Sequence, residues 1–385
     1  MHIILWVVGL LALGIAFIVA QAIYLAMVLK WEDEQTVGLK YYGRPAAGRA
    51  RFKRTLRRHA RLLSPILRLN SHSGHLDFRK ARIVYEGLSG PSGSCSTESF
   101  ARGASYAPQP QDVFVATQMK CGTTWMQHVV YEVLHRGQGS LVETGTALYA
   151  VSPWLEGRKS VSLEEAPLLG RERPARIIKT HFPAQFCPFS REARYIYVAR
   201  HPVSCFASCI DFVVTNVGTY APPLESFEQW FTSPELMWWG TWTDHVKGWW
   251  QRAQHEPNVL FLYFEDMKRD LPGVIRRVAE FLNMPPLDDA EVAQIARKCG
   301  FSYMQEHQDN FEMHPPHILQ TSAELFVSGH ADRHKDVPPA ARERVLDWAA
   351  REIAGTDLSL LQPYEDVLRA AQSSQNLAVG SRPDA

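Results

Sequence analysis

Residues 112–136 place a short strand, a polar loop and an amphipathic helix in direct succession, and this order constrains the fold more than any other feature. Residues 112–117 (DVFVAT) are β-branched and apolar, which predicts a buried strand. Residues 124–136 carry apolar side chains at helical spacing. The connecting loop, residues 120–125, reads KCGTTW. Because a loop that opens a helix directs backbone N–H groups and the positive end of the helix dipole outward, we expect an anion site, to which Lys120 adds a full charge.

The loop does not follow the common nucleotide-binding pattern. In that pattern a glycine stands five residues ahead of a Gly-Lys-Ser/Thr triplet, whereas here Lys120 precedes Gly122. The order disfavours an ordinary ATP or GTP site. A polar strand-to-helix turn without a ligand remains the alternative at this point.

Three further β-like runs occur at residues 176–179 (RIIK), 194–200 (RYIYVAR) and 259–264 (VLFLYF), with helical or loop segments between them. Strands that alternate with helices predict an α/β fold with a central parallel sheet covered on both faces. The six cysteines show no CxxC pair and no metal-ligand spacing, which is typical of a reducing compartment. Cys205 and Cys209 lie four residues apart on a predicted helix, where we expect them to be small buried apolar residues.

Residues 3–29 form an apolar run in which Gln21 is the one strongly polar member. Roughly 20 such residues suffice to cross a bilayer as a helix, so the run predicts a single transmembrane helix. A cleaved signal peptide is the alternative, since residues 20–22 (AQA) imitate a cleavage site. Against it, no lysine or arginine precedes the apolar core, which continues to Leu29.

The formal net charge of +1 conceals an asymmetry: residues 35–76 hold ten lysines and arginines and no acidic residue. Basic residues close to a membrane helix tend to stay cytoplasmic, so we expect the bulk of the chain to face the cytoplasm. Within this region, residues 51–69 intersperse arginines with apolar side chains, which predicts a helix lying on anionic headgroups. A solvated basic linker is the alternative. The segment offers no interleaved aromatic platform, so no nucleic acid partner is expected.

Composition divides the chain into four parts. We expect a transmembrane helix in residues 1–30, and a basic membrane-proximal region in residues 31–110 that ends in a linker rich in Gly, Ser and Pro. The catalytic domain is expected in residues 111–370. Residues 371–385 are polar and lack periodicity, which predicts a disordered tail.

Two strand ends carry candidate functional side chains. Residues 177–183 (IIKTHFP) deliver Lys179 and His181 beyond a strand, and ligands in open α/β sheets bind at such carboxyl ends. A lone histidine is more often structural. In the next strand segment Arg200 comes last and Ser208 follows eight residues later. An arginine fork makes bidentate contacts to phosphate, although pairing with a carboxylate such as Asp211 is the alternative.

Taken in order, these segments resemble the cytosolic-type sulfotransferase family, whose phosphosulfate loop usually reads PKSGTTW. Residues 240–250 (GTWTDHVKGWW) and 262–267 (LYFEDM) are similar to further segments of that family. The resemblance covers residues 112–335. It implies a P-loop-like three-layer domain that moves the sulfuryl group of 3′-phosphoadenosine 5′-phosphosulfate (PAPS) to a hydroxyl or amine of a small acceptor, without a metal.

The resemblance also implies roles for individual residues. His181 would be the general base, with Lys120 and Lys179 as electrostatic partners of the reacting oxygens. Arg200 and Ser208 would hold the 3′-phosphate. The loop residues implied for the nucleotide are Lys120, Cys121, Gly122, Thr123, Thr124 and Trp125. Trp125, Phe264 and Phe301 are the aromatic residues implied at the adenine. Arg333, or alternatively Lys335, would substitute for the family's C-terminal phosphate motif.

The chain departs from the family pattern inside the loop. Met119 stands where proline is usual, which removes a fixed φ. Cys121 replaces serine, and its proximity to Lys120 and to a helix N-terminus predicts a lowered pKa and an oxidisable thiol. At the adenine end, Phe264 occupies a position where the family has a tyrosine, and Cys299 occupies one where it has a threonine.

The acceptor is constrained only by position and composition. A catalytic domain tethered at the bilayer and rich in tryptophan suggests a lipophilic alcohol or glycolipid headgroup, although these aromatic residues could equally fill the core. The tryptophans in question are Trp230, Trp238, Trp239 and Trp242. Two other functions stay open: a phosphotransferase, which would need Mg²⁺ and carboxylates to hold it, and a membrane-tethered nucleotide-binding protein without turnover.

Overall fold

The computed structural model describes residues 2–71, 75–313, 315–318 and 333–380. Its first element is a 34-residue helix, α1, from His2 to Gln35. The helix is long and apolar enough to cross a membrane, and its apolar window is not buried by the rest of the chain. It is the one candidate span within these described ranges.

Three shorter helices follow α1 and pack beside its carboxyl end. They are α2 (Leu39–Tyr42), α3 (Ala46–Leu62) and α4 (Ser64–Ser71). Trp31 of α1 lies 5.1 Å from the ring of Phe52 in α3, and the Tyr24 hydroxyl lies 2.6 Å from Nδ1 of His59. These contacts fix α3 against the end of the candidate span.

The strands form a small hairpin and a four-stranded sheet. The hairpin pairs β1 (Arg82–Tyr85) with β2 (Leu88–Pro91) in antiparallel register. The sheet consists of β3 (Asp112–Ala116), β4 (Arg176–Thr180), β5 (Arg194–Ala199) and β6 (Val259–Tyr263). It is parallel throughout in the order β4-β3-β5-β6. The four strands thus lie within one residue of the predicted ones.

Helices cover both faces of the sheet. In chain order they are α5 (Thr97–Ala104), α6 (Thr123–Leu134), α7 (Leu141–Thr144), α8 (Leu148–Val151), α9 (Pro202–Val217), α10 (Leu224–Thr232), α11 (Trp242–His255), α12 (Phe264–Arg269), α13 (Leu271–Phe281), α14 (Asp289–Lys298), α15 (Phe301–Glu306), α16 (Pro339–Ile353) and α17 (Glu365–Gly380). Short 3-10 turns occur at Gly218–Tyr220, Gln308–Asn310, Arg333–Asp336 and Leu358–Leu361.

Side chains alternate between the two faces of the central strand β3, as the pleat requires. Val113 and Val115 join the core formed with α6, α13 and α14, whereas Phe114 and Ala116 join the core formed with α9, α11, α16 and α17. Every residue of β3 is buried, which explains why residues 113–116 are continuously apolar rather than alternating. The predicted α/β class, with a central parallel sheet between helical layers, is confirmed.

The segment interpreted as a linker, residues 87–110, is part of the folded domain. It contains β2 and α5, and Ser96 caps α5 through a reciprocal bond with Ser99. Phe100 is fully buried and lies 5.1 Å from the ring of Phe182. A Cβ at Gly90 would collide with the Phe100 ring. The glycine and serine residues here serve close packing and capping rather than flexibility.

The expected tail also differs from the structure. Helix α17 continues to Gly380 and packs on α16, with Val367 and Ala371 fully buried. Its alanine-rich sequence favours helix, and its apolar side chains have a partner in α16. Residues 381–385 lie outside the described part of the chain.

The segment 51–69 is helical as expected, but it is divided between α3 and α4, and the apolar face of α3 lies on the protein rather than on lipid. Phe52 and Leu56 are 4% and 3% exposed and pack with Trp31 and Tyr41 in one core cluster. Lys53 is also buried and pairs with Glu312 at 2.8 Å. The exposed charged side chains of α3 are arginines, namely Arg51, Arg54, Arg57, Arg58 and Arg61.

Phe52→Ala should lower the free energy of unfolding by about 3 kcal/mol, because it leaves a cavity between α1, α2 and α3. Denaturant unfolding of the full-length protein in mild detergent measures the change. Leu62→Ala, at a position 61% exposed, is the control and should shift stability by no more than about 0.5 kcal/mol. Equal effects of the two substitutions would show that α3 is not docked as described.

Candidate active site

The loop between β3 and α6 has a backbone suited to holding an anion. Lys120 and Gly122 both adopt left-handed conformations, with φ values of 65° and 97°. A Cβ at Gly122 would lie 2.8 Å from the Phe264 ring, so glycine is required both by conformation and by space. Because α6 begins at Thr123, its first N–H groups and the positive end of its dipole lie at the loop.

The two loop threonines are hydrogen-bonded to neighbouring elements. The Thr123 hydroxyl lies 2.6 Å from that of Thr117 at the end of β3, and the Thr124 hydroxyl lies 2.9 Å from that of Tyr149. A hydroxyl has one donor and two acceptor positions. Each threonine therefore keeps hydrogen-bonding capacity for a phosphate oxygen.

His181 follows β4 directly and is 4% exposed. Its Nδ1 lies 2.9 Å from the carbonyl oxygen of Thr117. Since a carbonyl can only accept, Nδ1 carries the proton and Nε2 of the neutral ring is an acceptor. The backbone N–H of His181 and the Thr180 hydroxyl both donate to the buried carboxylate of Glu156, at 2.7 and 2.9 Å. Glu156 thereby fixes the segment that carries the histidine.

Lys179 does not reach the cavity that the other predicted residues share. It is fully buried, with Nζ 3.7 Å from the centroid of Trp154 and 5.3 Å from that of Tyr149. Burial lowers its pKa to about 7, against an opposing effect of the Glu156 carboxylate. The Trp154 ring lines the cavity, whereas Lys179 does not.

Arg200 ends the segment after β5 and contacts the loop directly. It donates from Nη1 to the Lys120 carbonyl at 2.8 Å, and its guanidinium lies 4.3 Å from the centroid of Phe264. Its buried Nε has no hydrogen-bond partner among the described residues. Ser208, two turns into α9, lines the same cavity. A buried donor without a partner costs folding free energy, and an anion would relieve that cost.

Aromatic side chains form the far end of the cavity. Trp125 donates from Nε1 to the Cys299 carbonyl at 2.8 Å, and its ring lies edge-on to Phe264 with centroids 5.5 Å apart. The Lys268 ammonium lies 5.8 Å from the Trp125 ring and 5.7 Å from the Phe301 ring. Both aromatic faces proposed for the adenine therefore flank one position.

Tyr263 does not substitute for the tyrosine that the family has near the base. Its hydroxyl donates to the Leu360 carbonyl at 3.0 Å, toward the carboxyl-terminal part of the chain. The cavity is lined at this level by Phe264, which has no polar group to offer.

One cavity of about 160 Å³ collects most of the predicted site. The predicted residues that line it are Lys120, Gly122, Thr123, Thr124, Trp125, His181, Arg200, Ser208, Phe264 and Phe301. Cys121 and Lys179 are buried behind it. The side chain of Arg333 lies outside the described part of the chain, although its backbone begins a 3-10 turn.

The expectation of a reactive thiol at Cys121 is wrong. The residue is 1% exposed, and its Sγ lies 3.6 Å from that of Cys205. Burial raises its pKa well above the ordinary value, because the nearby positive charges do not compensate for the loss of water. Cys205 and Cys209 are fully buried, as expected for small apolar residues.

A second cavity of about 320 Å³ adjoins the first. The two share Trp154, Phe212, Trp239 and Met313 as wall residues. The rings of Trp154 and Trp239 lie 5.5 and 4.8 Å from that of His181. The second cavity therefore reaches the two tryptophans that contact His181, while His181 itself lines the first cavity.

The four tryptophans separate into two groups. Trp238 and Trp239 line the second cavity, and Trp239 has a left-handed φ of 62°. Trp230 and Trp242 are fully buried core residues, Trp230 stacking on Phe78 at 4.6 Å. The acceptor interpretation applies to the first pair, and core packing accounts for the second.

Several residues that line or support the site were not predicted from the sequence. Phe212 had a usable signal, because it lies four residues after Ser208 on the same helix face. Trp154, Glu156 and Lys268 come from a loop and a helix that only the tertiary fold brings to the cavity, and no spacing in the sequence points to them.

The sheet is parallel and covered by helices on both faces. At the carboxyl edge of its strands lie a loop suited to an anion and a histidine. These features define an α/β protein suited to a phosphorylated ligand. The family model described as Sulfotransferase domain matches residues 110–357. The chain therefore belongs to the sulfotransferase family, and the predicted family is confirmed.

Curated relatives extend over most of the chain. It is 28% identical to Sulfotransferase 1C2 of Rattus norvegicus over 277 residues, which are 69% of this chain and 90% of the relative. It is also 28% identical to Sulfotransferase 2B1 of Mus musculus over 275 residues, covering 70% of this chain and 79% of the relative.

Solved structures show the same fold. A retinol dehydratase in complex with androsterone and the inactive cofactor PAP aligns with a TM-score of 0.56 at 20% identity, over 74% of this chain and 96% of that one. Mouse sulfotransferase SULT7A1 complexed with PAP aligns with a TM-score of 0.54 at 21% identity, over 77% and 99%.

The position of Lys179 predicts a pH dependence of stability. Its pKa is about 7 in the folded protein against an ordinary 10.5, so between these values the unfolded chain binds a proton that the folded protein lacks. The contribution of Lys179 to the free energy of unfolding therefore rises with pH between these two values, by up to about 1.4 kcal/mol per pH unit. Lys179→Met should remove this rise in denaturant unfolding measured from pH 7 to 10.

The control for this measurement is Lys80→Met, at a side chain 88% exposed, which should follow the unsubstituted protein at every pH. An unchanged slope in Lys179→Met would mean that the Lys179 ammonium is solvated rather than buried behind Trp154.

Proposed function

We propose that this protein is a PAPS-dependent sulfotransferase that acts on a small lipophilic hydroxyl or amine acceptor at a membrane. The observation that carries the proposal is the first cavity, which gathers Lys120, His181, Arg200 and Ser208 at the carboxyl edge of one parallel sheet. The names of the relatives support the reaction class, and the PAP of the similar structures supports the donor.

The residues at the two ends of the first cavity fit the donor nucleotide. The loop N–H groups, Thr123 and Thr124 suit the 5′-phosphosulfate, since they combine hydrogen-bond donors with the positive end of the α6 dipole. Arg200 and Ser208 suit the 3′-phosphate, and the unpartnered Nε of Arg200 is a donor such an anion would use. Trp125 and Phe301 suit the adenine.

His181 acts as the general base in this proposal. Its protonated Nδ1 is held by the Thr117 carbonyl, so Nε2 takes the proton of the acceptor hydroxyl as attack on sulfur proceeds. Glu156 keeps the ring in place through the His181 backbone. The second cavity holds the acceptor, with Trp154 and Trp239 beside the reacting hydroxyl.

Lys120 stabilises the charge that develops on the leaving phosphate, because it belongs to the loop and lines the cavity. Lys179 is proposed as a second cationic partner. It lies behind the Trp154 ring, with Nζ 3.7 Å from the ring centroid, so in its protonated form it acts on the reacting oxygens through its charge rather than by direct contact.

Helix α1 is proposed as a single transmembrane anchor that leaves the catalytic domain in the cytoplasm. The outward arginines of α3 support this orientation, since basic residues next to a span tend to remain on the cytoplasmic side. Their position beside the end of α1 also suits contact with anionic headgroups.

His181→Ala should reduce turnover by about 10²- to 10⁴-fold, because the acceptor proton then has no base. Transfer of radiolabelled sulfate from PAPS measures turnover, and calorimetry with PAP in EDTA measures nucleotide binding, which should be nearly unchanged. His255→Ala, at an exposed histidine of α11, is the control and should be fully active.

Loss of PAP binding together with turnover would contradict the assigned role of His181. PAP binding without transfer to any acceptor, in the unsubstituted protein, would instead favour a nucleotide-binding protein without turnover. Dependence of binding on Mg²⁺ would favour a phosphotransferase.

A glycosylation acceptor site added before His2 should be modified in cells, and one added after residue 380 should not, because the basic region retains the carboxyl-terminal part in the cytoplasm. Gel mobility with and without glycosidase shows whether each added site is glycosylated. Modification of the carboxyl-terminal site alone would reverse the proposed orientation, and modification of neither would argue against a span.

A further inference from the structure

The end of the candidate membrane helix is part of the second cavity. On the basis of the proposed function, we infer that Glu32 of α1 is a specificity residue that selects bilayer-resident amphiphilic acceptors carrying a second hydrogen-bond donor, a hydroxyl or an amine, besides the group that is sulfated. The helix therefore contributes to recognition of the acceptor as well as to anchoring.

The wall of the second cavity changes character along its length. At the His181 end it is apolar and aromatic, formed by Trp154, Trp239 and Phe212. At the other end it is polar and includes Glu32 and Lys159. Its volume of about 320 Å³ falls in the range of pockets that hold small molecules. A ligand that fills it contacts Glu32 and the two tryptophans that pack on His181, beyond which lies the first cavity.

Glu32 is 2% exposed. Among the described residues, its Oε2 accepts from the Ile318 N–H at 3.1 Å, and its Oε1 lies 3.5 Å from Nε2 of His317. Each carboxyl oxygen can accept more than one hydrogen bond, so Glu32 has capacity for a donor from within the cavity. A buried charge costs folding free energy unless it is paired, and a ligand donor would offset that cost.

The other charged residue at this end is already neutralised. Lys159 donates from Nζ to the Thr36 hydroxyl at 2.7 Å and pairs with Asp33 at 3.1 Å. The Gly38 N–H donates to the Lys159 carbonyl at 3.0 Å. These contacts join the end of α1 to the catalytic domain, and they leave Glu32 as the stronger attraction for a ligand group. That attraction favours a donor and disfavours an anion.

The polar end of the cavity lies next to the bilayer. Met27 is 64% and Leu29 is 38% exposed, as expected for lipid-facing residues, whereas Val28 is 4% exposed against the protein. Glu32 follows three residues after Leu29, about 5 Å further along the helix axis. A cavity at this depth is level with the headgroups, so it receives amphiphiles whose polar parts occupy the same layer.

The test compares Glu32→Gln with Glu34→Gln in the full-length protein. Glu34 is exposed on the same turn of α1 and does not line the cavity, so it is the matched control for loss of one carboxylate. Each protein is reconstituted in vesicles of total lipid extract containing sterols, glycolipids and sphingolipids, and supplied with PAPS. Mass spectrometry identifies and quantifies the sulfated lipids, and PAP affinity is measured in parallel.

We expect sulfated products that carry at least one further hydroxyl or amine. Glu32→Gln should lower their yield about tenfold or more, since a charge-assisted hydrogen bond at the end of the cavity is lost. Glu34→Gln should give the unsubstituted yield, and PAP affinity should be the same in all three proteins.

Products without a second donor, or equal yields from the two variants, would overturn the inference. Sulfation of a soluble alcohol without any lipid product would also overturn it while leaving the proposed function intact. Absence of transfer to every acceptor, despite PAP binding, would overturn the proposed function and the inference with it. A Glu32→Gln protein that has lost PAP affinity would show that Glu32 supports the fold rather than the acceptor.

Discussion

The hydrogen bond from Arg200 to the Lys120 carbonyl is the contact on which the arrangement of the site depends. It joins the end of β5 to the loop after β3 and so brings the two elements proposed to bind phosphate to one cavity. Lys120 must adopt a left-handed backbone, which costs a non-glycine residue free energy. The bond helps to offset that cost, and it orients the remaining donors of Arg200 toward the same space.

A second set of contacts supports the opposite side of the cavity. Glu156 is fully buried, and it holds the backbone of His181 and the hydroxyl of Thr180. Burial raises the pKa of Glu156, whereas these donors and the nearby Lys179 lower it. The Glu156 carboxylate thus stabilises the backbone of the histidine segment, and the Thr117 carbonyl fixes the tautomer of the His181 ring. The proposed base is therefore oriented before any ligand binds, which is what efficient proton transfer requires.

The parts that sequence predicted well are those in which a local pattern has one physical cause. Strands buried in a parallel sheet are largely apolar, so the strands in residues 112–117 and 194–200 were predicted from their sequence. The folded structure of residues 87–110 was not predicted, because glycine and serine occur in turns, helix caps and close packing as well as in linkers. The burial of Phe100 in the core is what distinguishes this segment from a linker. The burial of Cys121 and the place of Lys179 behind Trp154 arise from contacts with distant segments, which no local spacing encodes.

The candidate membrane helix and the sulfotransferase domain are joined by direct contacts. An independent anchor would be joined to its domain by a flexible linker, yet α1 continues as one helix through Gln35 and is bonded to the catalytic domain by Glu32 and Thr36. Helix α3 packs on Trp31 and leaves Arg51, Arg54, Arg57, Arg58 and Arg61 exposed. If α1 spans a bilayer as proposed, a connection of this kind fixes the height and tilt of the second cavity relative to the bilayer. Under the same proposal, the fold sets the distance from the headgroups to His181, so the helix determines which part of a membrane-bound acceptor reaches the proposed base.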